Sequence, residues 1–230
     1  MQTAMQTMQK TRSALHGTKP DPLTPDALNL LEQFGTTVTV SRSHEIYGQG
    51  EPTEHCWRII SGCVRTAKLL EDGRRLIGEF LWAGDLLGMD DLDVHAFNAE
   101  AVTDVMLRRY PRRMVEALAQ SHTGLALRLR TLAVASLQRT YQQMALLSRK
   151  TATERIASFL LDMHRRSTAT DRRIVDVPMS RTDIADYLGL TIETISRAFA
   201  RLQRAGVIAV LRSGFELLDP VALLELTHES

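Results

Sequence analysis

The segment from Ser180 to Ile208 restricts the possible fold most strongly, because helix caps, helical apolar spacing and a turn follow one another within it. Ser180 can cap a first helix, and Asp183, three residues later, suits the positive end of that helix. Gly189 allows the left-handed backbone of a tight turn at little cost. Thr191 can cap a second helix. The segment therefore predicts two short helices that cross at a sharp turn.

The apolar residues of both predicted helices fall on faces that can meet. Ala185 is small, which lets the second helix cross closely over the first. This arrangement is typical of a helix-turn-helix motif. The residues expected to point inwards are Ile184, Leu188, Leu190, Ile195, Ala198, Phe199 and Leu202.

The outer face of the second helix carries side chains that suit the edges of DNA bases. Its first turns are the part of a recognition helix that enters the major groove. Arg197 can donate two hydrogen bonds to O6 and N7 of guanine, and Glu193 can accept one from N4 of cytosine. Ser196 is short enough to approach a thymine or a phosphate. We therefore predict base contacts from Glu193, Ser196 and Arg197.

A second group of polar residues is predicted to contact the DNA backbone, where contacts set the register without reading sequence. Arg212 belongs to a predicted wing, in which strands at 207–212 and 215–218 turn at Ser213 and Gly214. The alternative is that the outer face of the second helix is a solvated charged surface without a ligand, and that Arg212 in the wing is merely exposed. The predicted backbone contacts are Ser180, Thr191, Thr194, Arg201, Arg204 and Arg212.

The rest of the chain divides into three parts, which gives an α+β protein overall. Residues 1–25 form a polar arm, followed by a short helix from Pro25 to Phe34 with Thr24 as its cap. Short apolar segments between glycines, with a hairpin turn at 71–73, predict a β-roll over residues 26–112. The winged helix-turn-helix domain then occupies residues 150–230.

Residues 113–149 contain almost no helix breaker except Gly124, so one long helix is predicted there. Its apolar seam exceeds what one small β-domain covers, and we expect it to pair with a second copy of the chain. An ordinary helix folded against its own β-domain is the alternative. The predicted dimer residues are Leu118, Leu125, Leu129, Leu132, Leu137 and Met144.

Composition limits the class of protein. A net charge of +1 argues against a non-specific coat on nucleic acid while permitting a local basic surface. The polar N-terminus lacks the apolar core expected of a signal peptide, and no stretch has the apolar length expected of a membrane span. Cys56 and Cys63, the only two cysteines, do not form the pattern of a disulfide framework. We therefore expect a soluble, cytoplasmic protein with no membrane partner.

The order of β-roll, long helix and winged helix resembles the CRP/FNR superfamily of transcription regulators, over about residues 25–225. Within that superfamily the chain is most similar to the FixK branch, whose members govern microaerobic respiration and nitrogen-fixation genes. The segments that carry the resemblance are IYGQGEP at 46–52, SGCVRTAKLLEDGRRLIGEFLWAGDLLG at 61–88, ATERIASFLL at 152–161 and RTDIADYLGLTIETISRAFARL at 181–202.

This resemblance implies a sequence-specific regulator that acts as a homodimer. Glu193, Ser196 and Arg197 would face TTGA-type half-sites arranged as an inverted repeat. The β-roll, which is similar to cyclic-nucleotide-binding domains, would recruit RNA polymerase and make the protein chiefly an activator. Its targets would be genes of the microaerobic and nitrogen-fixation type.

No cofactor is expected. Two thiols are too few for the four ligands of an iron–sulfur cluster, so Cys56 and Cys63 are better interpreted as buried apolar residues. Members of the superfamily that bind cyclic AMP use a glutamate and an arginine at the positions that correspond to Met89 and Phe97 in this chain. Between Leu76 and Leu107 there is no lysine or arginine, so a phosphate would meet negative potential.

A metal-dependent cupin enzyme needs closely spaced histidine ligands, but the histidines of the β-roll region are scattered, and no catalytic motif occurs. We therefore expect no enzyme activity. A regulator gated by haem or another small effector stays open as the alternative. The histidines concerned are His44, His55, His95 and His122.

Overall fold

The computed structural model describes residues 27–89, 93–167, 171 and 173–227. The predicted arm at 1–25 lies outside these residues, and so do Thr24 and Pro25. In the described part, a short 3-10 helix and eight strands come first, and helices follow, with a short three-stranded sheet among the last of them. The strands are β1 (Thr36–Val40), β2 (Glu45–Tyr47), β3 (His55–Ser61), β4 (Cys63–Leu69), β5 (Arg75–Trp82), β6 (Leu86–Leu87), β7 (Asn98–Ala101), β8 (Val105–Pro111), β9 (Ile174–Asp176), β10 (Ile208–Leu211) and β11 (Gly214–Leu217).

Helices follow the strands of the β-roll, as predicted. A 3-10 helix, Ala27–Phe34, precedes the first strand. It lies within the short helix predicted at 25–34, and its residues Leu28 and Leu31 are buried. The α-helices are α1 (Arg112–Ser121), α2 (Thr123–Arg149), α3 (Ala152–Arg166), α4 (Arg181–Leu188), α5 (Ile192–Arg204) and α6 (Pro220–Glu225).

The β-roll consists of two antiparallel four-stranded sheets, with strand orders β1-β8-β3-β6 and β2-β7-β4-β5. Alternate side chains of the strands meet between the sheets, where Ile59, Val64 and Leu107 have no exposed surface. The predicted hairpin is confirmed: β4 pairs with β5, and Gly73 adopts a φ of 81° in the turn between them. Glycine suits that turn because a side chain disfavours the left-handed backbone.

The prediction of one uninterrupted helix over residues 113–149 is wrong at one position. His122 has an extended backbone, with φ −126° and ψ 96°, and it separates α1 from α2. The Ser121 hydroxyl donates to carbonyl oxygens of the preceding turn, and the His122 amide donates to Leu118, so the end of α1 is satisfied locally. Val115 of α1 and Leu125 of α2 pack into the same buried cluster on either side of this break.

The predicted dimer seam also needs correction. Leu125 has no exposed surface, because it packs against Leu28, Leu31 and Tyr110 of its own chain. A side chain without exposed surface has none to offer a second chain, so Leu125 belongs to the core of one protomer. Three further members of the predicted seam, Leu118, Leu129 and Leu132, are partly buried against the same cluster.

The C-terminal part is a helix-turn-helix with a wing, as predicted. The wing strands β10 and β11 pair as a hairpin, and β9 adds a third strand to β11. The strand β9 has only three residues, which are too few to show an alternating pattern in the sequence. Gly214 is required where these strands meet, since a Cβ there would lie 2.0 Å from the carbonyl oxygen of Val175.

Within the described residues, none of the helices combines the length and the apolar character that crossing a membrane requires.

Candidate nucleic-acid interface

The start of α4 is fixed by reciprocal hydrogen bonds. The Ser180 hydroxyl accepts from the Asp183 amide at 3.0 Å, and the Asp183 carboxylate accepts from the Ser180 amide at 3.1 Å. These bonds satisfy amides that have no partner inside the helix. At the other end, Gly189 adopts φ 61° and ψ 42°, the left-handed conformation predicted for the turn.

Helix α5 begins at Ile192, three residues after Gly189. The Thr191 hydroxyl accepts from the Thr194 amide at 3.2 Å, which confirms Thr191 as the cap. Ile195, Phe199 and Leu202 are buried beneath the helix. Because three inward residues at helical spacing fix the rotation of α5, the opposite face is held toward solvent.

The three residues predicted to contact bases all lie on this outer face. Glu193, Ser196 and Arg197 are exposed. Among the described residues, no carboxylate lies within ion-pair distance of Arg197, so its guanidinium is available to a ligand. A backbone hydrogen bond and the Thr191 hydroxyl, with a smaller contribution from Arg197, lower the pKa of Glu193. Glu193 is therefore an acceptor at neutral pH, as contact with a cytosine amino group requires.

The six residues predicted to contact the backbone lie in three places. Thr194 and Arg201 line, together with the base-contact candidate Arg197, one cavity of about 210 Å³ between the start of α3 and α5. Arg204 is exposed further along α5, and Arg212 is exposed at the turn of the wing. Ser180 and Thr191 cap helices: their hydroxyl oxygens accept from backbone amides, and each hydroxyl keeps its own hydrogen for donation.

Two further residues of this region, Thr153 and Arg181, were not identified from the sequence. Thr153, in the first turn of α3, lines the same cavity as Arg201. The T-x-x-E pattern at 151–154 was a readable signal of that helix start, and the structure contains the capping box. The guanidinium carbon of Arg181 lies 3.3 Å from the ring centroid of Phe199, a cation–π contact that joins α4 to α5. No sequence pattern pointed to that contact.

Packed rings lie inside the β-roll, and the two thiols of its strands lie where those strands meet the helices. Tyr47 stacks on Trp57 and His95 with ring centroids 4.9 and 3.8 Å away. Cys56 and Cys63 are buried, as predicted, and burial raises the pKa of Cys56 to about 12. Over the described residues, no group of three metal-ligating side chains comes together.

Comparison with known proteins gives matches over both halves of the chain. Residues 37–122 match the cyclic nucleotide-binding domain family, and residues 154–226 match the Crp-like helix-turn-helix domain family. The chain is 43% identical to the nitrogen fixation regulation protein FixK of Azorhizobium caulinodans over 188 residues, which cover 80% of this chain and 76% of that protein.

Two further relatives agree with these matches. The transcriptional activatory protein AadR of Rhodopseudomonas palustris is 34% identical over 191 residues, covering 82% of this chain and 80% of that protein. The structure of FixK2 from Bradyrhizobium japonicum superposes with a TM-score of 0.80 at 38% identity, covering 85% of this chain and 98% of that one.

Proposed function

This chain belongs to the CRP/FNR family of DNA-binding transcription regulators, and from that premise we propose that it binds a TTGA-type inverted repeat as a homodimer and activates transcription. One observation carries the proposal. Glu193, Ser196 and Arg197 share the exposed face of α5, while the opposite face is locked into the protein.

The assignment of half-site contacts follows from donor and acceptor chemistry. Arg197 specifies the guanine of TTGA through its two parallel donors, and Glu193 accepts from a cytosine of the opposite strand. Ser196 approaches a thymine or a phosphate between them. Arg201, Arg204 and the wing residue Arg212 supply phosphate contacts, which set the register.

The homodimer is supported by an apolar stripe on α2 that the chain leaves exposed. The spacing of 7, 3, 4 and 3 residues along it is the heptad spacing of a coiled coil. Two such helices side by side would set the two copies of α5 about one turn of DNA apart, roughly 34 Å. The stripe residues are Leu127, Val134, Leu137, Tyr141 and Met144.

The proposed gene targets and the activator role rest on the relatives. FixK is named for the regulation of nitrogen fixation, and AadR is named a transcriptional activator. We therefore propose that this chain controls genes of the microaerobic and nitrogen-fixation type, with a surface of the β-roll contacting RNA polymerase. The proposed cellular location is the cytoplasm, where the DNA and the polymerase are.

The test compares wild-type protein with Arg197→Ala on palindromes that contain TTGA or TTAA half-sites, by fluorescence anisotropy without any added effector. The wild-type protein should prefer TTGA, and the variant should lose about 1–3 kcal/mol of that preference per half-site. Arg109→Ala, an exposed arginine of β8, is the matched control and should leave it unchanged.

An unchanged preference for guanine in Arg197→Ala would refute the assignment of that residue. Binding that needs an added small molecule would favour a regulator gated by an effector. No binding to any palindrome, with or without such molecules, would refute the proposed half-site.

A further inference from the structure

The first helix of the helix-turn-helix lies against the β-roll of the same chain. Helix α4 packs on the hairpin formed by β4 and β5, and two arginines of that hairpin reach its carboxylates. Arg65 donates to Asp183 at 3.1 Å, and Arg75 donates to Asp183 at 2.5 Å and to Asp186 at 2.8 Å. Four charged side chains therefore join two parts of the protein that are more than 100 residues apart in sequence.

An apolar contact continues this junction beside the charges. The Tyr187 ring of α4 lies 5.1 Å from that of Phe80 in β5, and 6.1 Å from that of Phe159 in α3. Buried residues of the hairpin, including Ile77 and Phe80, share one continuous core with the helix-turn-helix. A contact that is both packed and charged restricts rotation as well as separation of its two sides.

The charge of Asp183 is well suited to a fixed junction. Its side chain is only 5% exposed, and it also accepts the capping hydrogen bond that starts α4. Burial opposes ionisation of this carboxyl, but hydrogen bonds from Ser180, the charge of Arg65 and a hydrogen bond from Arg75 outweigh it, and the pKa is lowered. Asp183 is thus held as a carboxylate between two guanidinium groups at the first turn of α4.

We propose that Arg65 and Arg75 are positioning residues for DNA binding: they hold α4, and through it the recognition helix α5, at the orientation that matches the spacing of the two half-sites. This inference rests on the proposed function. Neither arginine lies on the exposed face of α5, so their action is on the geometry of the dimer and not on base contacts.

The expected loss of DNA affinity follows because the DNA-binding domains of both protomers must be correctly oriented at the same time. When only a fraction of the domains is correctly oriented, the apparent dissociation constant rises by the inverse of that fraction. If the correctly oriented fraction falls from nearly all to about one third in each protomer, DNA binding by the dimer weakens about ninefold, because both DNA-binding domains must be correctly oriented. A loosely held domain also tolerates a wrong spacing better than a fixed one.

The test measures discrimination between operator spacings. One inserted base pair moves the second half-site by about 3.4 Å and turns it by about 34°. Wild-type protein, Arg75→Glu, Asp186→Arg and the double variant are titrated onto the optimal palindrome and onto palindromes with one base pair inserted or removed. Arg74→Glu is the matched control, because Arg74 pairs with Asp72 at the exposed turn of the same hairpin.

Arg75→Glu should weaken binding to the optimal palindrome about tenfold. The difference in affinity between the optimal palindrome and the palindromes with altered spacing should become smaller. Asp186→Arg should do the same to a smaller extent. The double variant, in which a glutamate faces an arginine again, should regain affinity and spacing discrimination relative to Arg75→Glu. The control should behave as wild type, and thermal melting identifies any variant that fails to fold.

The outcomes separate this inference from the proposed function. If wild-type protein binds the palindrome but folded Arg75→Glu keeps the same spacing preference, or if affinity rises, the positioning role is refuted. Equal weakening on all spacings, without recovery in the double variant, also refutes it. If wild-type protein binds no TTGA palindrome, the proposed function has failed instead.

Discussion

Leu137→Asp tests the exposed stripe of α2 as the dimer interface. Leu137 is 51% exposed in the single chain, although it lies in the middle of an apolar row with Val134 and Tyr141. A coiled coil would bury this half of the side chain in both protomers. An aspartate at the same place would either lose its hydration or hold the two helices apart.

The size of the effect can be worked from that exposure. Complete burial of a leucine contributes about 1.5–3 kcal/mol, so burial of the remaining half contributes about 1 kcal/mol per protomer. The dimer contains two copies, which gives about 2 kcal/mol, or about a 30-fold rise in the dimer dissociation constant. The paired carboxylates face each other and increase this further, so the value for Leu137→Asp is a lower bound.

The assay is sedimentation equilibrium over a range of protein concentrations, with circular dichroism to show that the fold persists. Val221→Asp is the matched control, because Val221 is also strongly exposed but lies on α6, away from the stripe. A folded Leu137→Asp with the dissociation constant of the wild-type protein would show that the two chains meet elsewhere.

Three further predictions concern other parts of the molecule. Arg201→Ala should flatten the plot of log K against log salt by about 0.9 per protomer and weaken all sequences alike, since a phosphate contact releases counterions; a loss confined to TTGA sites would contradict this. Leu125→Ala should cost about 2–5 kcal/mol of unfolding free energy in urea, because it empties a buried site; dissociation of the dimer without loss of stability would return Leu125 to the interface. Cys56 and Cys63 should resist iodoacetamide at pH 8 in the native protein, by mass spectrometry, because burial raises the pKa of both thiols and the thiolate is the reactive form; modification at the rate of the unfolded chain would contradict it.

The helix-turn-helix was predictable because its signals are local. A cap such as Ser180 or Thr191 acts within three residues, and Gly189 determines its own backbone conformation. The exposed position of Arg197 followed from helical spacing alone, once the inward residues were identified. These inferences need no knowledge of distant parts of the chain, and the structure confirms the capping and the burial behind them.

The proposed dimer interface was harder to predict than the helix-turn-helix, because α2 carries two apolar rows. Leu125 and Leu127 are two positions apart, which places them roughly 200° apart around the helix. Both rows have spacing typical of a coiled coil, so the sequence left open which one the chain itself would cover. The 3-10 helix and β8 cover the row of Leu125, and the row of Leu127 stays exposed.

Neighbouring residues were enough to specify the local elements: the capped helices of the helix-turn-helix, the hairpin at Gly73 and the face of α5 that carries Arg197. The break at His122, the row of α2 that is buried, and the contact of Arg65 and Arg75 with α4 became visible only in the folded chain. The difference lies in the distance along the chain over which each interaction acts. Caps, turns and helical periods act within a few residues, whereas burial and ion pairs depend on which distant segments the folded chain brings together.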